Sequence, residues 1–85
     1  MMTESEIYRG LQHVFETVFR RRDIRLTPEL TAADVPGWDS FRYVSIIMAT
    51  EAYFGVKFLG SDIDDLKNIG DLAQSVARKI VKLNA

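Results

Sequence analysis

The chain has 85 residues and a formal net charge of −1, with 47% hydrophobic and 27% charged residues. This length predicts one small globular domain over residues 1–85, and the balanced charge gives no overall field that favours nucleic acid or an anionic membrane. The sequence has no cysteine, which excludes disulfides, thiolate zinc sites and a thiol nucleophile of its own.

The first helix is predicted over residues 4–22. The apolar residues Ile7, Leu11, Val14, Phe15 and Val18 recur there at helical spacing. Thr3 and Glu6 have the spacing of a capping box. Arg20, Arg21 and Arg22 fall in the predicted last turn, where positive charge favours the helix dipole. A glycine inside the helix, Gly10, indicates close packing against another helix.

Residues 23–39 predict a long connection without regular structure. Pro28 and Pro36 disfavour helix at the residues before them. Loops of this length are uncommon in compact domains and are often functional. Five apolar residues interrupt it: Ile24, Leu26, Leu30, Val35 and Trp38. We therefore expect a loop that packs down on the helices.

Residues 40–54 predict the second helix, which Gly55 ends. One broad apolar stripe contains Phe41, Val44, Ile47, Met48 and Phe54, while Tyr43, Ile46 and Tyr53 fall beside or outside it. This is more apolar surface than a helix with a single buried face needs.

A short third helix is predicted from a Ser61 cap to Leu66. The fourth begins after an Asn68 cap, with Asp71 in its first turn. Its apolar residues are Ile69, Leu72, Ala73, Val76, Ala77 and Ile80, in an i, i+3, i+4 pattern. The predicted fold is all-α: a small bundle of three main helices and one short one, with a long first connection.

Most candidate chemistry in the sequence has a simpler explanation. His13 is the single histidine, and no acid, base and nucleophile form an adequate catalytic set. The acids at 62–65 lack the spacing of a calcium loop and suit a helix start. The basic cluster at residues 20–25 is typical of a solvated helix end, and a local docking patch stays open. We predict neither a catalytic nor a metal site.

Ser40 is the remaining candidate. An Asp39-Ser40 pair before an apolar run is a common helix cap. The same position also suits an anionic group on the serine oxygen, because a helix N-terminus offers free N–H groups and positive dipole. The residues alone leave both interpretations open.

The stretch from Asp39 to Gly55 resembles the acyl carrier protein family. That family has Asp-Ser-Leu at the start of its second helix, followed by a pattern of the form V-x-L-V-M-A-L-E-E-x-F-G. Here Asp39-Ser40-Phe41 opens the helix, and "VSIIMATEAYFG" (44–55) follows the pattern. The sequences "LTPELTAADVPGWDS" and "NIGDLAQSVARKI" resemble the family's long loop and last helix. The resemblance extends from about residue 6 to residue 80.

The resemblance implies a carrier and not an enzyme. Ser40, with Asp39 as its motif neighbour, would receive 4′-phosphopantetheine from coenzyme A through a phosphopantetheinyl transferase. The thiol of this arm would carry acyl groups as thioesters to the enzymes of fatty-acid, polyketide or other specialised acyl biosynthesis. The implied partners are the transferase, an acyl-loading ligase or transferase, and acyl-processing enzymes.

The second helix departs from the family in charge. Arg42, Ser45, Ala52 and Tyr53 stand where acids are common, and Glu51 is the helix's single acid. This predicts weaker electrostatic steering, more apolar contact and a specialised pathway. The predicted partner-binding residues are Phe41, Arg42, Tyr43, Met48 and Glu51.

The alternative function is a non-catalytic helical adaptor, in which Ser40 is only a cap and the second helix docks a partner helix. A polar, acidic N-terminus unlike a signal peptide, and apolar runs too short to span a bilayer, predict a cytoplasmic monomer without stable membrane insertion.

Overall fold

The computed structural model describes residues 2–84, with side chains described to residue 81. Its elements are α1 (Glu4–Phe19), a 3-10 turn (Ala32–Asp34), α2 (Ser40–Phe54), α3 (Gly60–Asp64) and α4 (Ile69–Asn84). No strand occurs among these residues, so the predicted all-α fold is confirmed. None of the described helices has the length and apolar character that crossing a membrane requires.

The start of α1 is confirmed and its end is not. The Glu6 N–H donates to Thr3 Oγ1 at 3.2 Å, and the Thr3 N–H donates to Glu6 Oε1 at 2.9 Å, which completes the predicted capping box. The helix ends at Phe19, because Arg20 takes a left-handed conformation with φ of 55°. The prediction that three arginines fill the last turn is therefore wrong. The chain turns back here and buries Ile24, whose carbonyl accepts from Gln12 Nε2 at 2.7 Å.

α1 and α2 run in opposite directions, and Gly10 lets them approach closely. A Cβ atom at Gly10 would lie 2.6 Å from both Phe54 Cζ and Tyr53 Cε1. At the other end of the pair, the Arg42 guanidinium stands 5.5 Å from the centre of the Phe19 ring. The close packing predicted from Gly10 is confirmed, and the C-terminal end of α1 lies beside the start of α2.

We expect Gly10→Ala to lower the free energy of unfolding by up to about 2 kcal/mol. Alanine gains about 1 kcal/mol of helix propensity over glycine, but its Cβ forces the two rings of α2 away, and overpacking costs about 1–3 kcal/mol and sometimes more. Chemical denaturation gives the value. Gly60→Ala is the control, since nothing lies within 4 Å of a Cβ there. A more stable Gly10→Ala protein would show that the helices can separate at little cost.

The long connection packs onto the bundle, as predicted. Ile24 and Val35 are buried, and Leu26, Leu30 and Trp38 are half-buried. Two backbone hydrogen bonds tie it to the start of α4: Ile69 N–H to the Leu30 carbonyl at 3.0 Å, and Gly70 N–H to the Pro28 carbonyl at 2.9 Å. The connection is therefore a fixed wall of the domain.

α2 has the predicted bounds but a different buried face. Ile46 is fully buried, although it lay outside the predicted stripe, and Ile47 and Thr50 are buried with it. Phe41, Val44 and Met48 of that stripe face solvent, with 78%, 57% and 63% of their surface exposed. Since most of the circumference of α2 is apolar, periodicity alone could not choose the face that the rest of the bundle covers.

The short α3 begins one residue before Ser61, so the predicted Ser61 cap is wrong. The Asp62 carboxylate accepts from the Leu59 N–H at 2.8 Å and caps the helix instead. α3 also ends at Asp64, before the predicted Leu66. At α4 the prediction is confirmed, because Asn68 Oδ1 accepts from the Asp71 N–H at 2.8 Å.

Candidate functional site

The turn that leads into α2 is anchored on α1. Gly37 has φ of 87°, and the Trp38 N–H closes the turn on the Val35 carbonyl at 3.2 Å. The Trp38 ring stands edge-on to Phe15, with 5.3 Å between ring centres, and to Phe19 at 6.2 Å. Trp38 Nε1 is buried without an acceptor among the described residues, so packing on these rings holds the indole in place.

Asp39 is the cap of α2, and Ser40 is its first residue. Asp39 Oδ1 accepts from the Arg42 N–H at 2.8 Å, and the Asp39 carbonyl accepts from the Tyr43 N–H at 2.9 Å. The side chain of Ser40 is exposed, and its hydroxyl makes no hydrogen bond to any described residue. The interpretation of Ser40 as the helix cap is therefore wrong, and its hydroxyl is free for chemistry.

A cavity of about 520 Å³ opens beside Ser40. The 3-10 turn, the start of α2, α3 and the start of α4 surround it. Its apolar lining includes Trp38, Ile46, Ile63, Leu66 and Leu72. The polar residues that line it are Asp39, Ser40, Asp64, Lys67 and Asn68. An apolar cavity with few polar groups at its opening is the usual form of a small-molecule site.

α3 is held over this cavity from both sides. The Tyr43 hydroxyl donates to the Ile63 carbonyl at 3.0 Å, and Lys79 Nζ donates to Asp62 Oδ2 at 2.8 Å. Burial, and then the charge of Asp64, raises the pKa of the Tyr43 phenol, which keeps it a donor at neutral pH. The hydrogen bond from Lys79, and then that from the Leu59 N–H, lowers the pKa of Asp62.

The predicted partner-binding residues divide into two groups. Phe41 and Met48 lie with Val44 on the outer surface of α2, at i, i+3 and i+7 spacing. We call these three residues the α2 ridge. The structure does not bring Tyr43 and Glu51 onto it, because Tyr43 points to α3 and Glu51 Oε2 accepts from the Phe58 N–H at 2.8 Å.

Arg42 lies between these groups, half-buried, with its guanidinium over the Phe19 ring. No group of three or more histidine, cysteine or acidic side chains in the described part of the chain could hold a metal ion. The single histidine, His13, stands 5.5 Å from the Tyr53 ring. Since Tyr53 belongs to the last turn of α2, His13 is remote from Ser40 and cannot act on its hydroxyl.

Sequence analysis missed the residues that build the cavity walls from a distance. Ile63 and Leu66 fall in the predicted short helix and Ala32 in the predicted connection, and neither pattern predicts a role at the site. The apolar i, i+3 pair of Ile63 and Leu66 in a segment rich in acids was a usable signal, because it predicts one buried side. Ala32 and Leu72, forty residues apart, line the same cavity, and no local pattern predicts this.

Comparison with known proteins identifies the family, although no protein-family model matches the chain. The chain is 32% identical over 76 residues to a meromycolate extension acyl carrier protein of Mycolicibacterium smegmatis, covering 89% of this chain and 77% of that protein. It is 28% identical over 80 residues to an acyl carrier protein of Acidothermus cellulolyticus, covering 94% of this chain and 95% of that protein.

A solved structure has the same fold. The solution NMR structure of a holo acyl carrier protein from Geobacter metallireducens superposes with a TM-score of 0.85 at 34% identity, covering 89% of this chain and 87% of that one. The likeness in sequence and in structure extends over nearly the whole chain. The chain therefore belongs to the acyl carrier protein family and is a carrier protein, not a catalyst.

Proposed function

We propose that Ser40 carries 4′-phosphopantetheine, and that the thiol of this arm bears acyl groups as thioesters. One observation carries the proposal: an exposed serine hydroxyl with no partner among the described residues stands at the opening of an apolar cavity. The absence of cysteine supports it, because a carrier of thioesters must then obtain its thiol from an attached group.

The surroundings of Ser40 suit a phosphodiester. Asp39 already caps α2, so the serine oxygen can be modified without loss of that hydrogen bond. The first turn of α2 contributes backbone N–H groups and the positive end of the helix dipole, which stabilise a negative group there. The anchored turn through Trp38 keeps Ser40 in one position for the modifying enzyme.

Modification is a phosphoryl transfer onto the chain. Ser40 Oγ loses its proton and forms a bond to the phosphorus that bears pantetheine in coenzyme A. The pyrophosphate P–O bond breaks, and adenosine 3′,5′-bisphosphate leaves. The base and the magnesium ion would be those of the phosphopantetheinyl transferase, since the described residues form no metal-binding cluster and the neighbouring Asp39 carboxylate is engaged in capping α2.

The cavity beside Ser40 could hold the acyl chain. Its walls are apolar, and its opening is next to the attachment oxygen. An acyl chain that enters it leaves water and gains about 0.8 kcal/mol for each buried methylene. We propose that the cargo folds back into this cavity between visits to partner enzymes.

The partners we propose are a phosphopantetheinyl transferase, an acyl-loading ligase or transferase, and acyl-processing enzymes of fatty-acid, polyketide or another specialised acyl biosynthesis. The chain acts there as a cytoplasmic monomer, in the compartment where coenzyme A supplies acyl synthesis. Carrying the cargo on a tether raises its effective concentration at each partner's site.

Intact-mass spectrometry tests the proposal. The purified protein is incubated with coenzyme A, magnesium and a broad-specificity phosphopantetheinyl transferase, with a sample lacking the transferase as control. We expect complete conversion to a species heavier by one phosphopantetheine arm. An unchanged mass, under conditions that convert another carrier protein fully, would overturn the proposed function.

A further inference from the structure

The surface around Ser40 has an apolar centre. The α2 ridge begins at the residue after Ser40 and exposes 78% of Phe41, 57% of Val44 and 63% of Met48. A patch of neighbouring apolar side chains that stays exposed in a small domain marks a site of protein contact. Aromatic residues and methionine are also enriched at such contacts.

The charges of α2 itself do not belong to this ridge. Arg42 turns towards α1, with its guanidinium 5.5 Å from the centre of the Phe19 ring. Glu51, the helix's single acid, turns towards the chain after α2 and accepts from the Phe58 N–H. The ridge is therefore neutral, and any charge that steers a partner must come from the elements beside it.

On the α1 side, that charge is positive. Phe19 packs against Trp38 and lies under Arg42, so the residues directly after α1 stand beside the start of α2. Arg20 and Arg22 are exposed there, and neither forms an ion pair within the described residues. We call Arg20 and Arg22 the arginine border of the ridge.

The neighbouring charges do not cancel this border. Arg21 and Asp23 neutralise each other through two hydrogen bonds of 2.8 and 2.7 Å. On the opposite side of the ridge, Asp62 is paired with Lys79, and Lys67 follows Asp64 and Asp65 closely. Asp39, just before the ridge, is the acid nearest to the border, and its carboxylate accepts from the Arg42 N–H. The α3 side is thus nearly balanced, while the exposed Arg20 and Arg22 outnumber this one acid on the α1 side.

The backbone turn at the end of α1 places Arg20 at the surface. Its φ of 55° is a conformation that glycine adopts far more easily than arginine. No other described residue except glycine has a positive φ. Arg20 thus ends α1 with an exposed side chain, at the end of the helix that lies beside the start of α2.

We infer that the enzymes serving Ser40 dock on the α2 ridge. Each enzyme would present an apolar patch to the ridge and carboxylates to the arginine border. This inference rests on the proposed function of Ser40. It assigns to the partners an acidic surface, the opposite of the basic surface that an acid-rich second helix attracts. Electrostatic attraction then governs encounter, and apolar contact governs residence.

The test uses the phosphopantetheinyl transferase of the source organism, with coenzyme A, and measures KM and kcat for the carrier. The double variant Arg20→Gln/Arg22→Gln should raise KM about three- to tenfold and leave kcat unchanged, because exposed charges act mainly on association. The wild-type KM should rise between about 0.05 and 0.5 M salt, where screening shortens to a few ångströms. The KM of the variant should depend little on salt.

The matched control removes two positive charges at the opposite end of the α1–α2 pair. Arg9 and Lys57 are exposed and lie near Gly10 and Gly55, so Arg9→Gln/Lys57→Gln should leave KM within about twofold of the wild type. Met48→Ser should raise KM without changing its dependence on salt. Circular dichroism and thermal unfolding check that each variant keeps the fold.

Three results would overturn the inference. The proposed function would still stand in each case if the wild-type protein gains the mass of one phosphopantetheine arm. The first is an unchanged KM in Arg20→Gln/Arg22→Gln. The second is a KM raised by Asp64→Asn/Asp65→Asn instead, which would indicate a basic partner surface. The third is that the wild type and the other variants bind phosphatidylglycerol vesicles but Arg20→Gln/Arg22→Gln does not, which would assign the arginine border to a lipid surface. No mass gain in any variant would remove the function and this inference together.

Discussion

Ser40→Ala is expected to accept no phosphopantetheine, while its free energy of unfolding stays within about 0.5 kcal/mol of the wild-type value. The loss follows because the hydroxyl oxygen is the proposed acceptor of the phosphoryl group. The fold should persist because Asp39, not Ser40, accepts the hydrogen bond that caps α2. Exposed substitutions outside such contacts usually change stability by no more than about 0.5 kcal/mol. Intact mass and chemical denaturation provide the two measurements.

Asp39→Ala is the matched control for this prediction. It removes the cap and should cost about 1 kcal/mol, within the range of about 0.5–2 kcal/mol for losing such a residue. It leaves the Ser40 hydroxyl in place, so the protein still gains one arm, at a lower rate because the helix start frays. The pair of variants separates the chemical role of one residue from the structural role of its neighbour.

Two outcomes would contradict this assignment. A full mass gain in Ser40→Ala would move the attachment site to another residue. A stability loss of about 1 kcal/mol in Ser40→Ala, with no loss in Asp39→Ala, would return the capping role to Ser40 and favour the adaptor hypothesis.

Helix ends and stops were predictable where one local hydrogen bond determines them. The capping box of Thr3 and Glu6, the Asn68 cap and the Gly55 stop each depend on residues within four positions, and the structure has all three. The Ser61 cap failed because Asp62 competes for the same helix start and provides a stronger, charged acceptor. The local sequence therefore identifies residues that can cap a helix but does not show which of two neighbouring candidates will do so.

The face that α2 buries could not be predicted from its own residues. Apolar side chains occur around most of this helix, so several stripes are consistent with its sequence. The packing of α1 at Gly10 and of α3 through Tyr43 selects Ile46, Ile47 and Thr50 as the buried set. Thr50 buries its hydroxyl by donating to the Ile46 carbonyl at 2.7 Å.

The candidate site divides in the same way. Physical chemistry of the sequence led to a serine placed to bear an anionic group, and the resemblance supplied the identity of that group. The cavity could not be predicted, because its walls come from residues as far apart as Ala32 and Leu72. The left-handed backbone conformation of Arg20 could not be predicted either, because it depends on where the chain must turn to bury Ile24.

Loading the arm with an octanoyl group should raise the midpoint of thermal unfolding by about 10–25 °C over an acetyl-loaded protein. An eight-carbon chain needs about 240 Å³ if each carbon takes roughly the room of a water molecule, and the cavity offers about 520 Å³. Burying six more methylenes contributes about 5 kcal/mol, and ordering the chain costs about 2 kcal/mol. The remaining 3 kcal/mol or so corresponds to the expected shift in a domain of this size.

The 3-10 turn offers a matched pair of variants for this prediction. Ala32 is exposed and lines the cavity, whereas its exposed neighbour Ala33 does not. Ala32→Phe should occupy the opening and remove most of the octanoyl effect, while Ala33→Phe should keep it. Equal midpoints for the octanoyl and acetyl forms of the wild type would mean that the cargo stays in water. A full octanoyl effect in Ala32→Phe would place the cargo in another part of the bundle.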